Sequence, residues 1–178
     1  VLCDIDETLC MNSHSLKELI DKDTLGVIYV GIGGNTSNLR KINNLCKSNE
    51  VPLIIDAAHM AGGKLDSKTK PHLGEFAEFI CYSFQAVKNL GIADSGMICF
   101  QNNNYIEQVS KYRWLGIDKT TFKRTKENLK NSYKWEYDID RLGYKYNGNA
   151  LIASCCLSIL PSLDKTNIYR RKLRQNYL

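Results

Sequence analysis

Nowhere in its 178 residues does the chain have an apolar run long enough to cross a bilayer, nor a segment with the form of a secretory signal peptide. It has no CxxC pair, and none of its cysteines stands at zinc-ligand spacing from its three histidines. No internal repeat and no low-complexity tract occurs. Membrane-spanning helices, structural zinc sites and repeat arrays are therefore not expected. What is present is ordinary soluble-protein composition, 43% hydrophobic and 24% charged, enough for one domain with a sizeable core. Seven cysteines, an odd number, lie scattered through apolar segments (Cys81, Cys99, Cys155 and Cys156 among them). They read as free thiols in a reducing, cytoplasmic compartment. The net charge of +5 is mild, and its densest run, Tyr169-Arg170-Arg171-Lys172-Leu173-Arg174, reads as a solvated helix face. Neither a nucleic-acid nor a membrane partner is expected, since nucleic-acid binding calls for a broader patch and a recognisable module.

Short apolar, often β-branched runs predict strands over Val1–Ile5, Gly26–Ile32, Val51–Ile55, Glu78–Phe84 and Gly96–Phe100. Helices are predicted over Ser15–Ile20, Ser37–Ser48 (Leu39, Ile42, Leu45 and Cys46 on one face) and Asn104–Trp114. The stretch Leu115–Tyr137 reads as polar loop; a helix follows from about Ala150 to Pro161, and another begins at Asp164. Strands alternating with helices predict an α/β fold, a mostly parallel sheet with helices on both faces. Ligands of such sheets sit at the carboxyl ends of the strands.

Two residues at those ends carry chemistry. Asp56 closes the strand Val51–Ile55, and Lys88 follows the strand Glu78–Phe84. A lysine to hold an aldehyde as a Schiff base and an acid to keep a pyridine nitrogen protonated are what pyridoxal phosphate needs. Opposite charges at ~4 Å interact by about 4 kcal/mol at an effective dielectric of 20, enough to hold that proton. The bland alternative for Asp56 is a cap of the turn after it. Ser83 is placed to donate to a phosphate oxygen. His59 is placed to stack on or hydrogen bond to a flat ring, with room left by Ala57 and Ala58. Elsewhere, Asp4-Ile5-Asp6-Glu7-Thr8 imitates the DxDxT signature of magnesium-dependent haloacid-dehalogenase-type phosphatases, with Asp4 as nucleophile and Asp6 as acid. No strand ends in the acidic pair that such an enzyme needs downstream for its metal. Gly31-Ile32-Gly33-Gly34 lacks GxGxxG spacing and reads as a tight turn.

Asp56-Ala57-Ala58-His59, Tyr82-Ser83-Phe84-Gln85-Ala86-Val87-Lys88-Asn89-Leu90 and Asp94-Ser95-Gly96-Met97-Ile98 together resemble the DegT/DnrJ/EryC1/StrS family. The likeness continues through Trp114-Leu115-Gly116-Ile117, Tyr133-Lys134-Trp135-Glu136-Tyr137 and Gly143-Tyr144-Lys145-Tyr146-Asn147-Gly148-Asn149. The resemblance implies the large domain of the fold-type-I, aspartate-aminotransferase-like fold. It also implies pyridoxal-5'-phosphate-dependent transamination of a nucleotide-linked keto sugar by an amino acid donor such as glutamate, toward glycan, lipopolysaccharide or secondary-metabolite synthesis. On it, Lys88 is the Schiff-base lysine, Asp56 the partner of the ring nitrogen, and Ser83 a phosphate contact. Ala58 lies against the cofactor. His59 stands where many members place glutamine, at the ring hydroxyl. Lys145 to Asn147 resemble a segment reaching the cofactor phosphate of a neighbouring subunit, which implies a homodimer. Dehydratase members carry histidine in place of the lysine, so Lys88 favours transamination. Family members are substantially longer. Residues 1–163 are accordingly expected to be a partial cofactor-binding large domain, and 164–178 the start of a helix toward a small domain. An inactive fragment or partner of the same fold is the alternative expectation. A cluster of Lys123, Arg124, Lys126 and Lys130 is a candidate contact for a substrate diphosphate, set against a solvated loop.

Overall fold

The computed structural model describes residues 1–65, 73–117 and 139–177. Tyr133–Tyr137 and the Lys123, Arg124, Lys126 and Lys130 cluster lie outside the described residues. Two compact units form, one from Val1–Gln101 with Ala150–Leu178 and the other from Asn102–Asn149.

The first unit is built on a four-stranded sheet in the order β1 (Val27–Val30), β2 (Leu53–Asp56), β3 (Phe79–Ser83), β4 (Gly96–Phe100). β1, β2 and β3 run parallel; β4 is antiparallel to β3. A parallel return needs a long crossover, and segment 84–95 supplies none: its backbone folds back on itself, Phe84 N–H donating to Ser95 O at 2.8 Å. Side chains alternate along the strands. Val27, Tyr29, Leu53, Ile55 and Ile80 are buried on one face, while Ile28 and Val30 on the other remain exposed. Helix α2 (Leu39–Ser48) contributes buried Leu39, Ile42 and Cys46 to the same core, the face its periodicity predicts, with Leu45 partly buried beside them. The Tyr29 hydroxyl, inside this core, donates to Ser37 O at 2.7 Å, which satisfies a polar group that has lost water.

The first expected strand is not formed. Val1–Ile5 contributes a single bridge, Ile5 to Met11, and Val1 and Leu2 are fully open to solvent. The chain turns at once instead: Leu9 N–H donates to Asp6 O at 2.9 Å and Asp6 N–H to Cys10 O at 3.1 Å. Residues 1–5 therefore never reach the sheet. Helix α1 (Ser13–Leu19) starts earlier than predicted, because the Asn12 side chain caps the N–H groups of His14 and Ser15. Pro161 does end helix α4 (Ala150–Ile159), but it sits at the start of a single 3-10 turn, Leu160–Ser162, that leads directly into α5 (Leu163–Gln175).

In the second unit, α3 (Tyr105–Arg113) buries Lys111, whose ammonium meets Asp140 at 2.7 Å and Glu107 at 3.0 Å. The hydrogen bond that Lys111 Nζ donates to Asp140 leads both in raising the pKa of Lys111 and in lowering that of Asp140.

Gly31, just after β1, is held by close approach. A Cβ there would lie 2.0 Å from the sulfur of Met60, itself buried. Gly31→Ala is expected to destabilise the chain by about 1–3 kcal/mol through overpacking. In urea unfolding, Gly31→Ala combined with Met60→Ala should cost less than the sum of the two single changes, because the collision is then gone.

Candidate active site at the strand ends

Parallel pairing brings the carboxyl ends of β1, β2 and β3 level. Val30 pairs with Asp56, and Asp56 with Cys81, two residues before Ser83. Three connections therefore leave the sheet side by side: the 3-10 turn Ile32–Gly34, the loop 57–63 and the loop 84–92. Asp56 lies at the end of β2, half-buried. Its Oδ1 accepts the Ala58 N–H at 3.0 Å, so the turn-capping role is real. Its second oxygen has no hydrogen-bond partner among the described residues. Ala58, half-buried, thus contributes its N–H as well as its small side chain. Ser83 closes β3, and its Oγ accepts from Gln85 N–H at 3.4 Å.

Lys88 is presented by a tight turn. Its own N–H donates to Gln85 O at 2.9 Å, and Val87 N–H donates to Gln85 Oε1 at 3.0 Å. Among the described residues its ammonium makes no hydrogen bond or ion pair. It lines a cavity of about 220 Å³ together with Gly33, His59, Val87, Asn89 and Arg170. His59 Nδ1 accepts the Gly33 N–H at 3.1 Å, so the ring carries its proton on Nε2. Lys88 and His59 therefore share one cavity, with Asp56 and Ser83 on the strand ends that carry its two loops.

Arg170 and Asn167 were not singled out by sequence. Arg170 belongs to the basic run read as solvated, and most of that run is exposed. Its Nη1, however, donates to Asn89 Oδ1 at 2.9 Å. Asn167, three residues earlier on the same helix face, is buried and donates to Ala61 O at 3.0 Å. The available sequence signal was that i, i+3 polar pair within α5.

Lys145 and Asn147 belong to the second unit. Lys145 pairs with Trp114 as an isolated bridge and holds its ammonium 3.8 Å from the Trp114 ring centroid, a cation–π contact. Tyr144 and Tyr146 stack with centroids 5.1 Å apart. The Asn147 side-chain oxygen is buried and has no hydrogen-bond partner among the described residues.

The DxDxT-like segment is structural. Asp4 is exposed, and both oxygens of Asp6 are engaged, by Thr8 and by the side-chain amide of Asn38. Asn38 is the left-handed residue just before α2. Thr8, then Asn38, lead in holding the Asp6 carboxyl below its ordinary value. Among the described residues no cluster of three His, Cys, Asp or Glu side chains is placed to hold a metal ion, and no helix is long and apolar enough to cross a membrane.

A family model for DegT/DnrJ/EryC1/StrS aminotransferases matches residues 1–178. The chain belongs to that family. It is 28% identical over 173 residues to the uncharacterized protein MJ1066 of Methanocaldococcus jannaschii, covering 97% of this chain and 42% of that protein. Among solved structures it is similar to the putative sugar aminotransferase Spr1654 of Streptococcus pneumoniae in its PMP form. There the TM-score is 0.83 at 23% identity, over 99% of this chain and 48% of that one. It is also similar to the aminotransferase TlmJ of Streptoalloteichus hindustanus, with TM-score 0.76 at 26% identity, over 93% of this chain and 41% of that one. The chain thus spans less than half the length of these relatives. The first of these structures supports the fold expected from the sequence, and the family match supports the likeness that the motifs around Asp56 and Lys88 carry.

The Asp6 contacts predict a pH effect. A depressed carboxyl pKa adds stability above the ordinary value of 3.8, and that stability disappears as pH falls through the lowered value. Asp6→Asn should therefore be less stable than the parent at pH 7 by urea unfolding, with the difference closing as the solution is acidified below pH 3.8.

Proposed function

We propose that this chain carries the cofactor site of a pyridoxal-phosphate-dependent aminotransferase. The enzyme moves an amino group from an amino acid, glutamate by preference, to a keto sugar linked to a nucleotide. The observation that carries this reading is Lys88: an amine without a partner among the described residues, facing a cavity it shares with His59. The residues present fit the cofactor. Bound there, pyridoxal phosphate supplies the electron sink for the charge that develops at the substrate carbon.

Each side chain has a distinct task. Lys88 Nζ would hold the cofactor through its aldehyde and, as a free amine, would move a proton at the substrate carbon. Asp56, with one oxygen fixed by Ala58 N–H, offers the other to the ring nitrogen and keeps it protonated. His59, with Nδ1 occupied by Gly33, directs the Nε2 proton to the ring hydroxyl. Ser83 Oγ already accepts from Gln85, which leaves its own hydrogen to donate to a phosphate oxygen. Lys145 and Asn147 serve the cofactor phosphate of a second subunit, so the working form is a homodimer. The buried side-chain oxygen of Asn147 has no hydrogen-bond partner among the described residues, which leaves it available to a group from outside the subunit. Free cysteines, with the buried Cys46 thiol pushed up to about 11 by desolvation, suit a reducing cytoplasm.

The test is direct. Purified chain mixed with pyridoxal phosphate should gain a visible absorbance band, and borohydride should fix the cofactor on Lys88, as read by peptide mass. Lys88→Ala should show neither. A folded parent that gains no band and no mass would leave the chain as an inactive relative. Asp56→Asn keeps its hydrogen bond to Ala58 and loses its charge. It should still take up cofactor while amination of nucleotide-linked keto sugars falls on the order of 10³-fold, the loss of about 4 kcal/mol of charge pairing.

A further inference from the structure

We infer that helix α5 is a positioning device for Lys88, acting through Asn89. Asn167 and Arg170 clamp the Asn89 amide and so fix the lysine loop against the loop that carries His59. This inference rests on the reading of Lys88 as the cofactor lysine. It adds two residues, more than seventy positions away in sequence, to the machinery that aims it.

Each polar end of the Asn89 side chain is engaged. Oδ1 accepts from Arg170 Nη1 at 2.9 Å; Nδ2 donates to Asn167 Oδ1 at 3.1 Å and, more weakly, to Ala61 O at 3.5 Å. Asn167 is buried, 6% exposed, and likewise uses both ends, since its Nδ2 donates to Ala61 O at 3.0 Å. Ala61 O is thus the point where the His59 loop, the lysine loop and α5 converge. The backbone has been shaped to admit the amide: Gly62 has φ +68, and a Cβ there would lie 2.4 Å from Asn167 Nδ2 and 3.1 Å from Leu163. Leu163, Asn167 and Arg170 stand at i, i+4 and i+7, one face of α5. A buried amide whose ends are all matched holds its neighbours to a single arrangement, because any slip leaves a polar group without water or partner.

The consequence falls on the next residue along the chain. Lys88 ends in an amine on a flexible four-carbon stem, and the turn from Gln85 fixes its backbone on one side. Asn89 fixes it on the other. Displacing a reacting group by about 1 Å costs on the order of 10²-fold in rate. Arg170 is therefore a positioning residue: it is part of the cavity lining, and its Nη1 donor is committed to Asn89.

The test compares the parent chain with Asn167→Leu, Arg170→Met and Arg170→Lys. Three readouts are taken: amide hydrogen exchange of segments 57–63 and 84–92, the rate at which borohydride-fixed pyridoxal phosphate accumulates on Lys88, and the rate at which acetic anhydride acylates Lys88 without cofactor. Exchange in both segments should rise about tenfold or more in Asn167→Leu and Arg170→Met, and loading of Lys88 should slow roughly 10- to 100-fold. Acylation by the small reagent should not slow, since the amine remains accessible, and Arg170→Lys should recover part of the loss. Parent-like exchange and loading in both variants would overturn the clamp. Should Asn167→Leu fail to fold, the exposed Arg170→Met decides the matter alone. Should the parent itself not load Lys88, the cofactor reading falls, and the exchange comparison still decides whether α5 fixes the loop.

Discussion

Register in the parallel pairs is the constraint on which the site depends. Val30, Asp56 and Cys81 stand in line across three strands. Because side chains alternate, a slip of one residue in β2 would exchange Asp56 with Ile55. The carboxylate would then enter the core occupied by Tyr29 and Ile80, and the isoleucine would take its place at the strand ends. The burial of Leu53 and Ile55 opposite Val27 and Tyr29 makes that slip costly, so apolar packing on one face sets where the acid stands on the other. The geometry of the candidate site is in this sense a by-product of the core.

Asp6 and Asp56 show how little residue type says by itself. Both accept an N–H two residues on, Thr8 for Asp6 and Ala58 for Asp56. The difference lies in the second oxygen. Asn38 occupies that of Asp6 and ties the N-terminal turn to the start of α2, leaving nothing for chemistry. No described neighbour occupies that of Asp56.

The elements near the site were legible because their signals were local and agreed with one another. The apolar, β-branched run around Val27–Val30, the apolar face of Leu39 to Cys46, and the placing of Asp56 at one strand end and Lys88 just past another all follow from patterns within a few residues. The failure at Val1–Ile5 has a plain cause: an apolar run is a strand only if a neighbour pairs with it, and the turn from Asp6 to Cys10 folds the segment away from the sheet. The antiparallel sense of β4 was likewise invisible in its composition and is decided by the connection before it. Asn167 and Arg170 were missed for a different reason. Their role exists only through partners at Ala61 and Asn89, and no local pattern records a contact of that separation.

That separation affects how the molecule comes into being. The hydrogen bonds joining α5 to the two loops close over sequence separations of 78, 81 and 106 residues. Contacts this remote form slowly, since loop closure must precede them. On the ribosome the strands and Lys88 emerge well before α5 does, and domains fold as their parts become available. A nascent chain therefore passes through a stage in which the sheet is paired while the lysine loop is still unmoored. Fixing of the lysine loop therefore waits until α5 has been made and has docked.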